Sequence, residues 1–308
     1  MDMSLAERTR TFIEISEIWV PEGDRLVQAG GNYGGYGEFA AASGHESFAK
    51  GEGLPGKAWA EARPVVLKEF DGSYFKRTEA AKEAGLTSAV AVPVFANETL
   101  KAVLVLLCSD DDVRTGAIEV WSEKDGLLML EDGYYGAARH FEWVSQHTHF
   151  PRGQGLPGGV WAANTPMLMR DLGSGYKFIR ADSAGRAGLT TGLGLPIPVP
   201  GGQTYVLTLL SARGTPIARR FELWNVRNGA GGKEAVLADG ICAKEGPLWD
   251  EDNPRRTSAW QGPVGKVLGT GLPVVEQGTP AIAPGYDTMV ALPIYQGDAV
   301  AHIVAWYC

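Results

Sequence analysis

Alternating apolar and polar residues mark the start of two segments of the chain. "FIEISEIWV" (12–20) and "GAIEVWS" (116–122) alternate between apolar and polar residues, which predicts half-buried strands. "DRLVQAG" and "DGLLMLED" follow after turn residues, so each segment predicts a hairpin. The apolar runs "TSAVAVPVF" and "KAVLVLLCS", separated by "ANET", predict a second and more deeply buried hairpin.

Helical signals lie between these hairpins. "EFAAASGH" and "ARHFEWVSQH" are short helix candidates, and "KAWAEA" (57–62) predicts a brief helix that Pro64 ends. "PVVLKEF" predicts a strand, and "YFKRTEAAKEAG" (74–85) predicts an amphipathic helix with Gly85 as its C-terminal stop. The resulting order predicts an α+β unit, an antiparallel sheet with helices to one side.

The unit is repeated. "GEGLPGKAWAEARPVVLKEF" (51–70) recurs as "GQGLPGGVWAANTPMLMRDL" (153–172), 102 residues later, and one inserted residue then changes the shift to 103. The aligned pairs include Trp19 with Trp121, His45 with His147, Phe75 with Phe178, and Arg77 with Arg180. Matches at two fixed shifts over this length indicate a tandem repeat.

A third copy is degraded. "FELW" (221–224) matches "IEVW" and "SEIW", and "GPVGKVLGTGLPVVEQ" (262–277) matches the glycine segment, with Trp260 where Gly51 would be. From Gly265 to Pro293 there are 28 positions, against 37 from Gly56 to Pro93, so the third copy lacks most of the amphipathic helix. The sequence therefore predicts three modules, 1–111, 112–214 and a truncated 215–308.

"GEGLPG" also fits G-x-G-x-x-G, the dinucleotide-binding pattern, with Glu69 as a possible ribose ligand. That pattern needs an apolar strand before it and a long helix after it, within a parallel βαβ unit. Here "GHESFAK" precedes it, and Pro64 allows only a short helix. The glycines are better explained as a tight entry to that helix.

The order of these motifs resembles the GAF domain family. The matching elements are "F-x-[KR]-G-x-G-x-P-G-x-x-W", "P-V-x-L", "F-x-R-x-x-A-x-x-A-G-L-x-S" and "x-V-P-V" followed by an apolar strand. The resemblance implies a PAS-like architecture, a six-stranded antiparallel sheet flanked by helices. It also implies a ligand cavity between the sheet and "YFKRTEAAKEAGL". Family ligands include cyclic nucleotides, bilins, haem, amino acids and 2-oxo acids.

The chain departs from this family pattern in three ways. The repeats follow one another closely, so the terminal helices of the family are reduced. Neither full copy has a cysteine in its helical segment to attach a bilin, and no output domain is recognised. We assign no cofactor, no metal ligand and no catalytic residue.

Charge and cysteine content limit the partners. The net charge is −8, with no cluster of Lys and Arg, which argues against nucleic acid and anionic membrane surfaces. "MDMSLAERTR" has no hydrophobic signal core, and only three cysteines occur, so a reduced cytoplasmic location is the simplest expectation.

Arg77 and Arg180 are the leading ligand-binding candidates, because a single arginine aimed into a cavity binds a carboxylate or phosphate bidentately. The alternative is an exposed helix arginine. His45 and His147 would be ligand contacts or proton switches, or alternatively loop hydrogen-bonding residues. Phe75 and Phe178 flank the arginines as further candidates.

Trp19 and Trp121 would wall the cavity or contact a neighbouring module, whereas Trp59 and Trp161 would pack in the core. Cys108 and Cys308 occupy equivalent strand ends and are expected to be small buried residues rather than catalytic thiols.

Three functions remain open at this stage. The leading one is a non-catalytic sensor or regulatory protein that binds a small polar, anionic metabolite in modules 1 and 2. The second is a scaffold without ligand that forms homo-oligomers or holds a signalling partner, and it would gain support if large side chains filled every cavity. The third is an enzyme similar to the free methionine-R-sulfoxide reductases, which use clustered cysteines.

Overall fold

The computed structural model describes residues 11–174, 178–229 and 232–308. The N-terminal segment that we judged to lack a signal core, residues 1–10, lies outside the described residues. Within the described part, three antiparallel sheets follow one another along the chain. We name them modules 1 (residues 15–108), 2 (residues 115–212) and 3 (residues 220–307).

The elements follow the predicted alternation of hairpins and helices. Module 1 contains β1 (Ile15–Glu22), β2 (Arg25–Asn32), α1 (Gly37–Gly44), β3 (Ser47–Ala49), α2 (Gly53–Glu61), β4 (Val65–Leu67), α3 (Thr78–Glu83), β5 (Ser88–Ala96) and β6 (Thr99–Cys108). Module 2 contains β7 (Thr115–Lys124), β8 (Leu127–Gly136), α4 (Arg139–Gln146), β9 (Phe150–Pro151), α5 (Gly155–Ala163), β10 (Met167–Arg170), α6 (Ala181–Arg186), β11 (Leu189–Pro198) and β12 (Thr204–Ala212). Module 3 contains β13 (Arg220–Gly229), β14 (Gly232–Cys242), β15 (Gly246–Pro247), β16 (Arg256–Ser258), α7 (Gly262–Thr270), β17 (Val274–Gln277), β18 (Thr288–Gln296) and β19 (Ala299–Tyr307).

All three sheets have the same strand order. Module 1 reads β3-β2-β1-β6-β5-β4, and module 2 reads β9-β8-β7-β12-β11-β10. Module 3 reads β15-β14-β13-β19-β18-β17, with β16 paired to β14 as β3 is paired to β2. The predicted α+β class, with three antiparallel-sheet modules, is confirmed. The predicted boundaries near residues 111 and 214 lie between the sheets and stay predictions.

Two helix predictions were wrong in extent. The helix predicted over 74–85 is only α3, because Phe75 turns inward to stack on Phe70 at 4.0 Å between ring centroids and Arg77 caps the helix with non-helical backbone angles. The helix predicted over 57–62 begins earlier, at Gly53, so the "GLPG" residues form its first turn. Proline is tolerated there because the amide groups of a first turn have no partner within the helix.

Module 3 lacks the counterpart of α3. Its described residues pass from β17 to β18 through a loop, which agrees with the shortened sequence. Trp260 occupies the turn position of Gly51, since its amide donates to the Gly265 carbonyl at 2.7 Å as that of Gly51 donates to Gly56. Its φ of +72° is left-handed, a conformation that costs a residue other than glycine about 1–2 kcal/mol.

The modules form a closed ring. Strands β5, β11 and β18 contact one another at the centre, where Pro93, Pro196 and Pro293 face a small common void. At the periphery β4 contacts β8, and β17 contacts β2. Module 2 completes the ring, because Arg170 at the end of β10 hydrogen bonds Asp239 and Gly240 on β14. One edge of each sheet, which would otherwise be open to pairing, therefore lies against the neighbouring module.

None of the described helices is both long and apolar enough to cross a membrane.

Candidate functional site

Arg77 is buried against the sheet of module 1. Its guanidinium donates to both carboxylate oxygens of Glu17 on β1, at 2.9 Å for the Nη2–Oε2 contact. Arg77 is 5% exposed and Glu17 is fully buried. Trp19 Nε1 and the Tyr33 hydroxyl donate to the same carboxylate, at 3.1 and 2.9 Å. The bidentate carboxylate recognition predicted for Arg77 is thus present, but the carboxylate belongs to the protein.

Module 2 repeats this arrangement. Arg180 at the start of α6 donates to both oxygens of Glu119, and Trp121 and Tyr135 donate to the same carboxylate at 3.2 Å each. Thr208 on β12 adds a hydrogen bond of 2.8 Å to Glu119. We call these two groups, Glu17–Trp19–Tyr33–Arg77 and Glu119–Trp121–Tyr135–Arg180, the arginine clusters.

Module 3 keeps the carboxylate and replaces the arginine. Glu222 accepts hydrogen bonds from Trp224 at 3.0 Å and from Tyr307 at 2.8 Å. Arg220 on β13 and Arg255, just before β16, now supply the positive charge. Arg255 is 43% exposed, so one of the two cations in module 3 is accessible to solvent, although Glu222 itself is fully buried.

Aromatic rings fill the space around each arginine. In module 1 the Arg77 Cζ lies 4.7 Å from the ring centroid of Phe39 and 5.3 Å from that of Phe75. In module 2 Phe141 and Phe178 lie 4.6 and 5.2 Å from the Arg180 Cζ. Trp19 and Trp121 are fully buried within their own modules. The interior expected to hold a ligand is therefore occupied by these side chains.

The histidines lie elsewhere. His45 and His147 are exposed and follow the C-termini of α1 and α4. The His147 Nδ1 lies 2.7 Å from the Trp143 carbonyl oxygen. The structure therefore does not bring them together with the arginines, and their ligand role stays a prediction.

Burial and pairing have opposite effects on the ionisation of Glu119. Burial disfavours its charged form, but Arg180 and the hydroxyl donors around it hold the pKa of Glu119 below its ordinary value of 4.5. Burial also raises the pKa of the Tyr135 hydroxyl, which therefore stays protonated and donates to the carboxylate. The cluster is an ionised pair surrounded by neutral donors.

Glu119 should make the free energy of unfolding depend on pH in the acid range. Its folded pKa lies below its unfolded value, so its contribution is present above about pH 4.5 and is lost as pH falls through the folded pKa. We expect the unfolding free energy, measured by urea denaturation from pH 7 to pH 3, to decrease less steeply in a Glu119→Gln/Arg180→Met variant. Parallel curves for the variant and the wild type would contradict this assignment.

Two surface clefts occupy equivalent positions beside α3 and α6. Cleft 1, of about 450 Å³, is lined by residues that include Lys68, Asp71, Thr78, Lys82, Thr87 and Asp110. Cleft 2, of about 330 Å³, is lined by residues that include Asp171, Gly173, Gly185, Leu189, Thr190 and Arg213. Gly85, Leu86 and Thr87 of cleft 1 correspond to Gly188, Leu189 and Thr190 of cleft 2 at the repeat shift of 103.

The cation that is outside any described ion pair lies on a different structural element in each cleft. Lys82 on α3 corresponds to Gly185, whereas Arg213 after β12 corresponds to Asp110. Within the described ranges, neither Lys82 nor Arg213 takes part in an ion pair. Each cleft thus presents one cation that an anionic group could approach.

The three cysteines have different environments. Cys108 is fully buried, which raises its thiol pKa, and burial raises the pKa of Cys308 to about 11. Burial also acts against ionisation of Cys242, but hydrogen bonds from the Tyr286 hydroxyl and from two backbone amides outweigh it and lower its pKa. In the described residues no group of three or more His, Cys, Asp or Glu side chains is arranged to hold a metal ion.

Comparison with known proteins supports the resemblance of the motifs. The family model of the GAF domain matches residues 3–121, which include the whole sheet of module 1. The first module belongs to the GAF domain family. A search of curated proteins finds no significant match.

Solved structures similar to the chain also contain GAF domains. The GAF domain of nlh2 from A. aeolicus, in an inactive state, is 23% identical, with 32% of this chain and 59% of that chain covered and a TM-score of 0.27. The GAF domain of a two-component sensor histidine kinase from Bacillus halodurans is 12% identical, with 47% and 91% covered and a TM-score of 0.28. A nitrate-site variant of NreA from Staphylococcus aureus is 16% identical, with 32% and 72% covered and a TM-score of 0.26. TM-scores this low carry no argument about a ligand of this protein.

Sequence reasoning missed the carboxylates of the arginine clusters. Glu17, Glu119 and Glu222 each stand two residues before a tryptophan, as "EIW", "EVW" and "ELW". Residues two apart on a strand share a face, so a glutamate beside a buried tryptophan must itself be buried and needs a charged partner. The repeated E-x-W was therefore a signal that could have identified the partners of Arg77 and Arg180.

Proposed function

We propose that this GAF protein is a non-catalytic regulatory protein that binds a small polar, anionic molecule in modules 1 and 2. The observation that carries the proposal is the pair of clefts at equivalent positions of the two modules, each with one cation outside any ion pair in the described residues. Both clefts have the volume of small-molecule sites. Module 3 lacks the helix that would form the wall of a third cleft.

The ligand would lie outside the arginine clusters. An anion that took over the bidentate contact of Arg77 or Arg180 would have to displace a fully buried carboxylate, which would then lack a partner. The arginines instead fasten the starts of α3 and α6 to the sheet, and these helices form one wall of each cleft. Under this proposal Arg77 and Arg180 position the binding wall, while Lys82 and Arg213 contact the ligand.

A ligand-free scaffold is the second candidate, and the filled module interiors favour it. The aromatic side chains and the arginine clusters leave the expected cavity occupied in modules 1 and 2. In this case the protein would act by assembling with a second copy or with a signalling partner. Light scattering after size exclusion tests for the first of these.

The reductase alternative requires cysteines that act together. Cys108 ends β6 and Cys308 follows β19, in two different sheets, and Cys242 ends β14 beside Tyr286. Thiol-dependent reduction of free methionine sulfoxide that is abolished by Cys108→Ser would be needed to support this function.

A ligand screen with matched variants tests the leading proposal. Thermal unfolding is monitored with organic acids, 2-oxo acids, amino acids and nucleotides at 10-fold steps of concentration. We expect one class to raise the unfolding midpoint, because a ligand that binds the folded state stabilises it. Lys82→Glu should weaken binding to cleft 1 about tenfold or more, since a charge-assisted hydrogen bond is replaced by repulsion.

A charge reversal outside cleft 1 provides the control. Lys50→Glu changes an exposed lysine that does not line cleft 1, and it should leave ligand affinity unchanged. If no compound stabilises the wild type, or if Lys50→Glu and Lys82→Glu weaken binding equally, the clefts are not the ligand sites.

A further inference from the structure

Lys68 directly follows β4 and takes part both in the lining of cleft 1 and in the contact between modules 1 and 2. It lines cleft 1, and its Nζ pairs with Asp132 on β8 at 2.9 Å and with Glu142 on α4 at 3.6 Å. Both carboxylates belong to module 2. One side chain of module 1 thus stands between the candidate ligand site and the contact with the next module.

The residue equivalent to Lys68 in module 2 makes the contact at the next interface, between modules 2 and 3. Lys68 is equivalent to Arg170 at the repeat shift of 102, and Asp132 is equivalent to Asp239, because each aspartate pairs with the residue that precedes the tryptophan of its module. Arg170 of module 2 pairs with Asp239 of module 3, but it does not line cleft 2. At the remaining interface the equivalent residue is Gln277, whose side-chain oxygen accepts a hydrogen bond from the Tyr33 amide at 3.3 Å. The second interface therefore supplies a matched control for the first.

An anion in cleft 1 competes with Asp132 and Glu142 for Lys68. The lysine is 48% exposed, and its long side chain can turn between the two sides without moving the backbone. Lys82 on α3 lines the same cleft and attracts the same anion. Every interaction that the ligand gains with Lys68 is then one that the module interface loses.

We infer that Lys68 couples occupation of cleft 1 to the interface between modules 1 and 2, so that an anionic ligand loosens this interface selectively. The inference rests on the proposed function for the identity of the natural ligand, but not for the coupling itself. Coupling of this kind is reciprocal: weakening the interface pair must strengthen anion binding by the same factor.

A charge placed on the cleft wall tests the coupling without any ligand. Lys82→Glu puts a carboxylate into cleft 1, which Lys68 also lines. Asp132→Asn should lower the thermal unfolding midpoint of the wild type by roughly 1–2 °C, as expected for a partly exposed ion pair. In the Lys82→Glu background we expect that decrease to be halved or lost, because Lys68 has already turned towards the cleft.

Asp239→Asn provides the matched control. It removes the equivalent pair with Arg170, and its effect on the midpoint should be the same with and without Lys82→Glu. If Lys82→Glu leaves the effect of Asp132→Asn unchanged, or alters the effect of Asp239→Asn equally, the coupling through Lys68 is overturned.

A second arm measures the reciprocal effect with inorganic phosphate as the anionic probe. Phosphate is titrated while the backbone amide resonances of Leu86 and Thr87 are followed by NMR. Asp132→Asn/Glu142→Gln should tighten phosphate binding about two- to fivefold, because Lys68 no longer has to leave a partner. The tightening should vanish when Lys68→Gln is added.

The two experiments distinguish the coupling through Lys68 from the proposed ligand site in cleft 1. Phosphate binding that is unaffected by the Asp132 and Glu142 changes would leave the ligand site in place and refute the coupling. Absence of phosphate binding together with the expected response to Lys82→Glu would support the coupling and count against the proposed ligand site.

Discussion

Arg180→Met should lower the unfolding free energy by about 3–5 kcal/mol, the largest single-residue effect that we expect in this protein. The substitution leaves the Glu119 carboxylate fully buried and without the bidentate partner that holds it ionised. Methionine fills much of the space of the arginine side chain, so most of the loss comes from charge rather than from volume. Urea denaturation at pH 7 measures it.

Two control variants separate charge from packing. Glu119→Gln/Arg180→Met removes both charges and should recover much of the loss, because an ion pair exchanged for neutral groups is often tolerated. Arg227→Met removes an arginine that is 48% exposed and pairs with Glu234, and it should cost less than about 1 kcal/mol. If Arg180→Met cost no more than Arg227→Met, the cluster would not be a structural requirement of module 2.

Gly158→Ala is expected to have the second-largest effect, a loss of about 1–3 kcal/mol. A Cβ at this position of α5 would lie 2.3 Å from the carbonyl oxygen of Pro151, and the backbone would have to move. The equivalent glycines, Gly56 and Gly265, meet a carbonyl oxygen at 2.1 and 2.3 Å, so the close contact is common to all three modules. Thermal or urea unfolding of the variant measures the cost.

The neighbouring residue supplies the control. In Gly159→Ala the added Cβ meets only the flexible Met167 side chain, at 3.0 Å from its Sδ. Alanine within a helix is favoured over glycine by up to about 1 kcal/mol, so this variant should be neutral or slightly stabilised. Equal losses in the two variants would show that the close approach to Pro151 is not what requires Gly158.

Much of the fold could be predicted because its signals are local. The alternation in "FIEISEIWV", the apolar hairpin strands and the fixed repeat shift identified the strands, their order and the shortened third copy. The extent of α3 could not be predicted, since "YFKRTEAAKEAG" is a good helical pattern throughout. Stacking of Phe75 on Phe70, and the pairing of Arg77 with a residue 60 positions away, decide where that helix begins.

The candidate site was predicted only in part for the same reason. The arginine pair was found by repetition, but the burial of Glu17 and Glu119 against it depends on strands that are far away in sequence. Lys68, Lys82 and Arg213 carry no motif, because an exposed cation beside a cleft looks like any other surface residue. Their relevance appears only when the strand ends and helices form a wall around a common space.

The sequence by itself therefore determined three copies of one sheet-forming unit, because period-two alternation and tightly spaced glycines are properties of neighbouring residues. Only the tertiary structure decided that the three units close into a ring and that Arg77 and Arg180 pair with buried carboxylates of their own modules. It also decided that residues of α3 and α6 line the two accessible clefts. Those features depend on which distant side chains meet, and burying a charge requires a partner that local sequence does not specify.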